Sequence, residues 1–183
     1  MEEKESKGRE VRSWLLTVIV PVLLVLVVNL YICKLAVVKG DSMYPTLYNR
    51  DLLLVWMVDY TPKAGDIIII NTEKNSIMQG DKLVKRVIAT GGQTVQINYD
   101  TNTVLVDGCA LTENYLNFEE TDPLEAVYTD TSLTVPEGYV FVMGDNRNHS
   151  ADSRDSRIGL IPISEILGVK IARIPIGSWF GES

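Results

Sequence analysis

The sequence predicts a mainly β protein: a single N-terminal transmembrane helix followed by one mostly antiparallel β domain. Three observations carry that reading. No charged residue stands between Arg12 and Lys34. Beyond that run, apolar residues come in short stretches of strand length, with Gly, Asn, Asp or Pro in most of the gaps. No long helical pattern alternates with those stretches, which disfavours a parallel α/β sheet. The 183 residues suffice for one ordinary domain and a short appendage. The expected division is a cytoplasmic tail over 1–12, a membrane span over 13–33 and an extracytoplasmic β-rich domain over 34–183.

As a helix, Ser13–Cys33 would extend roughly 30 Å at ~1.5 Å per residue, the thickness of a bilayer's hydrocarbon core. Trp14 and Tyr31 stand near its ends, where amphipathic aromatics settle at the interface. Pro21 and Asn29 are tolerable interruptions. A cleavable secretory signal has a shorter apolar region and a small-x-small site after it. Here the exit reads Lys34-Leu35-Ala36-Val37-Val38-Lys39, so the span is expected to persist as an anchor. Lys4, Lys7, Arg9 and Arg12 precede it, and Lys34, Lys39 and Arg50 follow. That difference favours a cytoplasmic N-terminus.

The strands follow in order. Leu52–Val58, Ile67–Ile70 and Leu83–Ile88 are apolar runs. Thr94–Ile97 and Thr103–Val106 alternate, with Asn98–Asn102 as the hairpin turn between them. Tyr139–Met143 and Val169–Ile174 complete the set. One short helix is expected at Ser164–Leu167, ended by Gly168. The acidic stretch 112–132 (Glu113, Glu119, Glu120, Asp122, Glu125, Asp130) reads as a surface excursion.

Composition excludes whole classes of function. The net charge is −7. Acids and bases cancel within residues 1–12, so the excess of acid lies in the body, and nucleic acid is not expected as a partner. A single histidine, His149, rules out a multi-histidine metal site. No metal and no cofactor are expected. Cys33 ends the apolar run and Cys109 lies in the body, so no disulfide is expected and the core must hold the fold.

Lys85 is the residue that needs a reason. Strand alternation puts Leu83, Lys85 and Val87 on one face. The bland reading is a lysine that snorkels to solvent. The sharper one is a lysine held neutral by desolvation, at a cost of about 3 kcal/mol to bring its pKa from ~10.4 to ~8. Upstream stands Gly40-Asp41-Ser42-Met43-Tyr44-Pro45-Thr46-Leu47. Gly40-Asp41-Ser42 is ordinary turn chemistry, but Gly40 permits close backbone approach and Met43 and Leu47 offer apolar walls beside the hydroxyl. A third block, Gly144 to Arg154, follows the Tyr139–Met143 strand. It reads either as a solvated turn or as a set of groups that fix one another by charge-assisted hydrogen bonds. It is not an EF-hand loop, because Arg147 occupies a position that needs an oxygen ligand. Its Asn148-His149-Ser150 sequon is discounted as a short pattern.

Taken in order, the span, Ser42–Leu47, Lys85-Arg86-Val87 and Gly144–Arg154 resemble type I signal peptidases in their compact, single-span Gram-positive form. Gly65-Asp66-Ile67 and Ile158–Pro162 also look familial, and the likeness covers essentially the whole chain. The resemblance implies a membrane-anchored serine endopeptidase that removes signal peptides from secreted preproteins after small residues, at Ala-x-Ala sites. It implies Ser42 as nucleophile, Lys85 as general base and Ser150 as the hydroxyl that orients the amine. Asp145 would pair with Arg86 and Asp152 with Arg154, and Arg147 would support the same loop. Val38, Met43, Leu47 and Val84 would wall the substrate pockets, and the lipid bilayer and preproteins would be the partners.

Departures from the family pattern are specific. Gly40 stands where many members carry a serine that assists the oxyanion, so a backbone group must suffice, and Gly40 and Ser42 are the residues expected to form the oxyanion site. Gly91-Gly92-Gln93 replaces the frequent Pro-Gly-Asp. Asp155-Ser156-Arg157 duplicates Asp152-Ser153-Arg154, and only the first copy keeps the Ser150-x-Asp152 spacing. His149 lies inside the third block, not before Arg86, which argues against a Ser-His enzyme. A self-cleaving Ser-Lys repressor would carry a DNA-binding helical domain instead of a span. The alternative from another class is a catalytically dispensable assembly or binding homologue, which should have lost Ser42 or Lys85. Trp56, Met57, Trp179 and Phe180 read either as bilayer contacts or as core packing.

Overall fold

A computed structural model of the chain describes residues 2–72, 82–116 and 132–176, with the backbone alone for residues 2–12 and Val28. Trp179, Phe180 and most of the acidic stretch lie outside the described residues. One helix, α1 (Glu2–Val27), continues through a π-helical turn over Val28–Ile32. Its apolar part, Ser13–Ile32, is 20 residues long with mean hydropathy 2.8 and no buried share. It is long and apolar enough to cross a membrane. The helix begins inside the expected tail, and Cys33, expected as the last residue of the span, opens a strand. Hydropathy does not mark that boundary, because apolar helix passes directly into apolar strand.

The strands are β1 (Cys33–Val37), β2 (Leu52–Trp56), β3 (Ile67–Asn71), β4 (Lys82–Thr90), β5 (Thr94–Asn98) and β6 (Thr103–Val106). They continue as β7 (Cys109–Ala110), β8 (Ser132–Thr134), β9 (Tyr139–Met143), β10 (Ile161–Pro162) and β11 (Ile166–Ile174). Seven form a sheet in the order β1-β2-β11-β3-β4-β9-β10, and four form a second in the order β7-β6-β5-β8. Every pairing among the described residues is antiparallel. The predicted class is the observed one.

Residue chemistry explains the central elements. β3 is a run of four isoleucines because both of its faces are covered. Ile67 and Ile69 join a core with Val38, Met43, Leu47, Leu53 and Val55, while Ile68 and Ile70 join another with Val87, Val140 and Val142. The β5–β6 turn is held by Asn98 Oδ1, which accepts the N–H groups of Asp100 and Thr101 at 3.0 and 3.1 Å. On β2, Leu53 and Val55 point inward. Leu52, Leu54 and Trp56 therefore point the other way. Opposite them stand Val37, Leu35 and Cys33 on β1, and Ile174, Ala172 and Val169 on β11. This outer face is apolar across three strands and directly follows the membrane-length helix.

The expected helix at Ser164–Leu167 is corrected. A 3₁₀ turn covers Ile163–Glu165, and Ile166 and Leu167 already belong to β11. Ile166 pairs with Ile70 and Gly168 with Ile69, so sheet pairing overrides the local pattern. Gly168 is not a helix cap. A Cβ there would stand 2.2 Å from the Trp56 carbonyl oxygen and 2.8 Å from Val55 Cγ1. β1, β7, β8 and β10 escape the sequence reading: β1 is masked by the apolar run before it, and the others are too short for a period to show.

Because β11 joins β2 to β3 through that close approach, Gly168→Ala is expected to destabilise the domain by about 1–3 kcal/mol, the usual range for overpacking. Thermal unfolding reads this as a lowered Tm. An unchanged Tm would show that the sheet opens freely at Gly168.

Candidate active site

Lys85 lies on β4 opposite Ile68 of β3, and its side chain is 2% exposed. Ile68 and Val87 share one core cluster, with Leu83 packed against it. Burial among these groups lowers the lysine pKa to about 8. The Asp152, Asp145 and Asp41 carboxylates pull it back up, and Arg154 pushes it down. The Nζ donates to Ser42 Oγ at 2.7 Å. With the amine neutral, the same line lets the nitrogen lone pair accept the serine proton.

Ser42 is carried by a turn whose conformation begins at Gly40. Gly40 has φ +81°, a region that favours glycine. Its N–H is engaged by Asn49 Oδ1 at 3.3 Å, so it does not point at a ligand. Tyr44 N–H donates to the Asp41 carbonyl at 2.9 Å and Leu47 N–H to the Met43 carbonyl at 2.9 Å. Met43 and Leu47 anchor the turn in the core beside Val38. The N–H groups of Ser42 and Met43 find no acceptor among the described residues. From β11, Arg173 donates to the Thr46 carbonyl at 2.9 Å and pairs with buried Asp51 at 2.6 Å.

The loop after β9 is fastened to this turn. Asn146 N–H donates to the Ser42 carbonyl at 3.0 Å, and Asn146 Nδ2 to the Asp41 carbonyl at 3.2 Å. Gly144 fits between the two elements. A Cβ on it would stand 2.2 Å from Ser150 Oγ and 2.5 Å from the Ser42 carbonyl oxygen. The Ser150 hydroxyl donates to Asp152 Oδ2 at 2.7 Å, which leaves its lone pairs available. Asp152 also accepts the Gly144 N–H at 3.0 Å and the Arg154 Nε at 2.8 Å. Arg86 grips Asp145 with two donors, at 2.8 and 2.6 Å. Burial alone would lower the Arg86 pKa, but the hydrogen-bonded Asp145 carboxylate raises it above the ordinary value. The two Asp-Ser-Arg copies separate by burial. Arg154 and Asp152 are 2% and 0% exposed, whereas Arg157 is 65% exposed.

Four contributors escape the sequence reading. Gly144 and Asn146 lie within the quoted loop without being singled out. Glu113 and Tyr115 lie in the stretch expected to be a surface excursion, and there the structure corrects the expectation. Glu113 forms a buried ion pair with Arg147, and the Tyr115 ring lies 3.8 Å from Arg86 Cζ. Their acidic, polar neighbourhood gives no periodic signal. Among the expected pocket residues, Val38, Met43 and Leu47 sit within the buried core, and Val84 lines an open groove of about 680 Å³. That groove runs between the β1 side (Lys34–Val37, Lys39) and the start of β4 (Lys82, Leu83, Val84), floored by Val55 and Ile69. Among the described residues β9 pairs with β4 only from Arg86 onward, and no other strand pairs with β4 on that side. The earlier β4 residues therefore leave a strand edge open beside it, as does β1. Among the described residues no His, Cys, Asp and Glu cluster could hold a metal.

A family model described as signal peptidase, peptidase S26, matches residues 11–175. Signal peptidase I T of Bacillus subtilis (strain 168) is 39% identical over 171 residues, covering 90% of this chain and 85% of that protein. Signal peptidase I P of Bacillus subtilis subsp. natto is 32% identical over 179 residues, with 92% and 91% covered. A crystal structure of a signal peptidase I from Enterococcus faecalis V583 aligns at TM-score 0.48 and 31% identity, covering 60% of this chain and 97% of that one.

Two outcomes follow from the site. Unfolded, Lys85 holds its proton up to about 10.5; folded, it loses it near 8. The unfolded state therefore binds more protons between those values, and stability rises with pH across that window. Lys85→Met is expected to stabilise the fold below pH 8 by about 2 kcal/mol, the net of relieved desolvation and one lost hydrogen bond. The gain should vanish within that window and turn into a loss of about 1 kcal/mol, the hydrogen bond alone, above pH 10.5. Melts of both proteins across that range check it, and a pH-independent difference would contradict it. Gly144→Ala is expected to force Ser150 and Ser42 apart and to lower catalytic turnover by ~10²-fold or more. Full turnover in that variant would show that the wedge is not needed.

Proposed function

Because the chain belongs to the signal peptidase family, peptidase S26, we propose that it is a membrane-anchored serine endopeptidase that cleaves signal peptides from secreted preproteins with a Ser42–Lys85 dyad. Family membership supports the coarse reading, a peptidase of signal peptides. One observation carries the finer reading: a lysine 2% exposed, its Nζ 2.7 Å from a serine hydroxyl.

In the proposed reaction, neutral Lys85 takes the Ser42 proton as Oγ attacks the carbonyl carbon of the scissile peptide. The unengaged N–H of Ser42 donates to the oxyanion. The C–N bond then breaks, and protonated Lys85 gives its proton to the departing amine. Lys85, neutral again, deprotonates the water that hydrolyses the acyl-enzyme. No hydrogen bond joins Ser150 to Lys85 among the described residues, and Ser150 donates to Asp152; in the proposed reaction its lone pairs would take an N–H of the lysine amine. Arg86, Asp145, Arg147, Asp152 and Arg154 hold the loop and take no chemical part.

The groove favours an extended substrate that joins the open edges of β1 and β4. β1 leads toward Ser42, and β4 leads toward Lys85. β1 also begins where the apolar helix ends, so the signal-peptide side of the substrate enters from the membrane. Of the four expected pocket residues Val84 lines the groove, while Val38, Met43 and Leu47 are packed in the core behind the serine turn; the proposed preference is for small side chains, as at an Ala-x-Ala site. Ser13–Ile32 anchors the chain, with the N-terminus cytoplasmic and the domain outside. The apolar outer face of β1, β2 and β11 rests on the bilayer, where Trp56 suits the interface.

Detergent-solubilised protein is expected to cleave a preprotein carrying an Ala-x-Ala site. Ser42→Ala and Lys85→Ala should each reduce the rate by at least ~10³-fold. Because the base must be neutral, the rate should fall as pH drops through about 8. Cleavage that survives both substitutions would sink the dyad, and a limb near ~10.4 would remove the buried-lysine explanation.

A further inference from the structure

The catalytic groups account for the chemistry but not for what holds the outer side of the Gly144–Arg154 loop. The segment after β7 reaches it. The Glu113 carboxylate accepts from both terminal nitrogens of Arg147, and each side chain is 7% exposed. The Tyr115 hydroxyl donates to Glu113 Oε1 at 2.8 Å, while its ring lies under Arg86. Both arginines act on the loop. Arg147 Nε donates to the Gly144 carbonyl at 3.2 Å, and Arg86 holds Asp145. Gly144 is the residue wedged between the Ser42 carbonyl and the Ser150 hydroxyl.

We propose that Glu113 and Tyr115 are positioning residues for the Ser42–Lys85 reaction, fixing Arg147 and Arg86 so that Gly144 and Asp145 keep the serine turn and the Ser150 hydroxyl in register. This rests on the dyad reading above. Among the described residues, Glu113 is the carboxylate that pairs with Arg147. A guanidinium buried without its carboxylate turns toward water, and its Nε takes the Gly144 carbonyl with it. The displacement passes directly to the backbone beside the nucleophile. Tyr115 couples the two clamps by holding the Glu113 carboxylate from one end and covering the Arg86 face with its ring. The β7 segment, and through it the small sheet, thereby becomes part of the catalytic frame.

The test uses the full-length, detergent-solubilised chain and a preprotein with an Ala-x-Ala site. Glu113→Gln is expected to lower kcat by ~10–100-fold with KM nearly unchanged, as for a small misplacement of reacting groups. Tyr115→Phe, which keeps the ring, should cost only a few-fold, by the loss of one hydrogen bond. Tyr115→Ala should resemble Glu113→Gln. The double variant Glu113→Leu with Arg147→Met should recover Tm, because a buried pair replaced by apolar groups is often stable, yet should not recover kcat. A kcat for Glu113→Gln equal to that of the unmutated chain would overturn the proposal, as would a double variant whose kcat returns with its Tm. Failure of the unmutated chain to cleave would instead overturn the dyad reading, and the proposal with it.

Discussion

The structure turns on a primary amine taken out of water. Lys85 is 2% exposed on a strand whose neighbours are aliphatic, and no carboxylate forms an ion pair with it among the described residues. A buried lysine with a direct carboxylate partner would stay charged and could not accept a proton. Here the nearby acids are committed elsewhere. Asp145 is gripped by Arg86, and Asp152 by Arg154 and the Ser150 hydroxyl. Their charges still raise the lysine pKa, but desolvation is the larger effect and decides the lysine's state. Among the described residues the amine makes one hydrogen bond, to the Ser42 hydroxyl.

The rest of the fold serves that arrangement. The serine turn and the lysine come from opposite ends of a long sequence separation, so neither can position the other. Three arginines bridge the gap from two elements: Arg86 from β4, and Arg147 and Arg154 from the loop itself. Arg173 from β11 secures the segment beyond the serine through Thr46 and Asp51. Planar guanidinium groups suit the task, since each can bind a carboxylate with two donors and a carbonyl with another. Gly144 completes the contact by having no side chain.

Sequence legibility followed the range of the interaction. The β class was readable because alternation and turn residues are local signals. Lys85 stood out because a charge on an apolar face breaks the period. Ser42, Arg86, Asp145, Ser150, Asp152 and Arg154 were named through ordered blocks, and the structure brings them together. Glu113 and Tyr115 were not readable, because an acidic residue in a polar stretch looks solvated until its buried arginine is seen. Gly144 was hidden for a related reason, since its role is the absence of a Cβ facing two distant groups. The turn at Ile163–Glu165 was misread as helix because Gly168 resembles a helix stop, when the constraint on it is the carbonyl of a neighbouring strand.

The proposed dyad depends on a dry lysine and on a frame rigid enough to keep it dry. The most direct measurement is an NMR titration of the isotopically labelled Lys85 side chain in the folded, detergent-solubilised protein, assigned by comparison with Lys85→Arg. The account predicts a midpoint at about 8, with the largest shift assigned to Lys85. A midpoint near the ordinary ~10.4 would contradict it, because a lysine that keeps its proton at working pH cannot take one from Ser42.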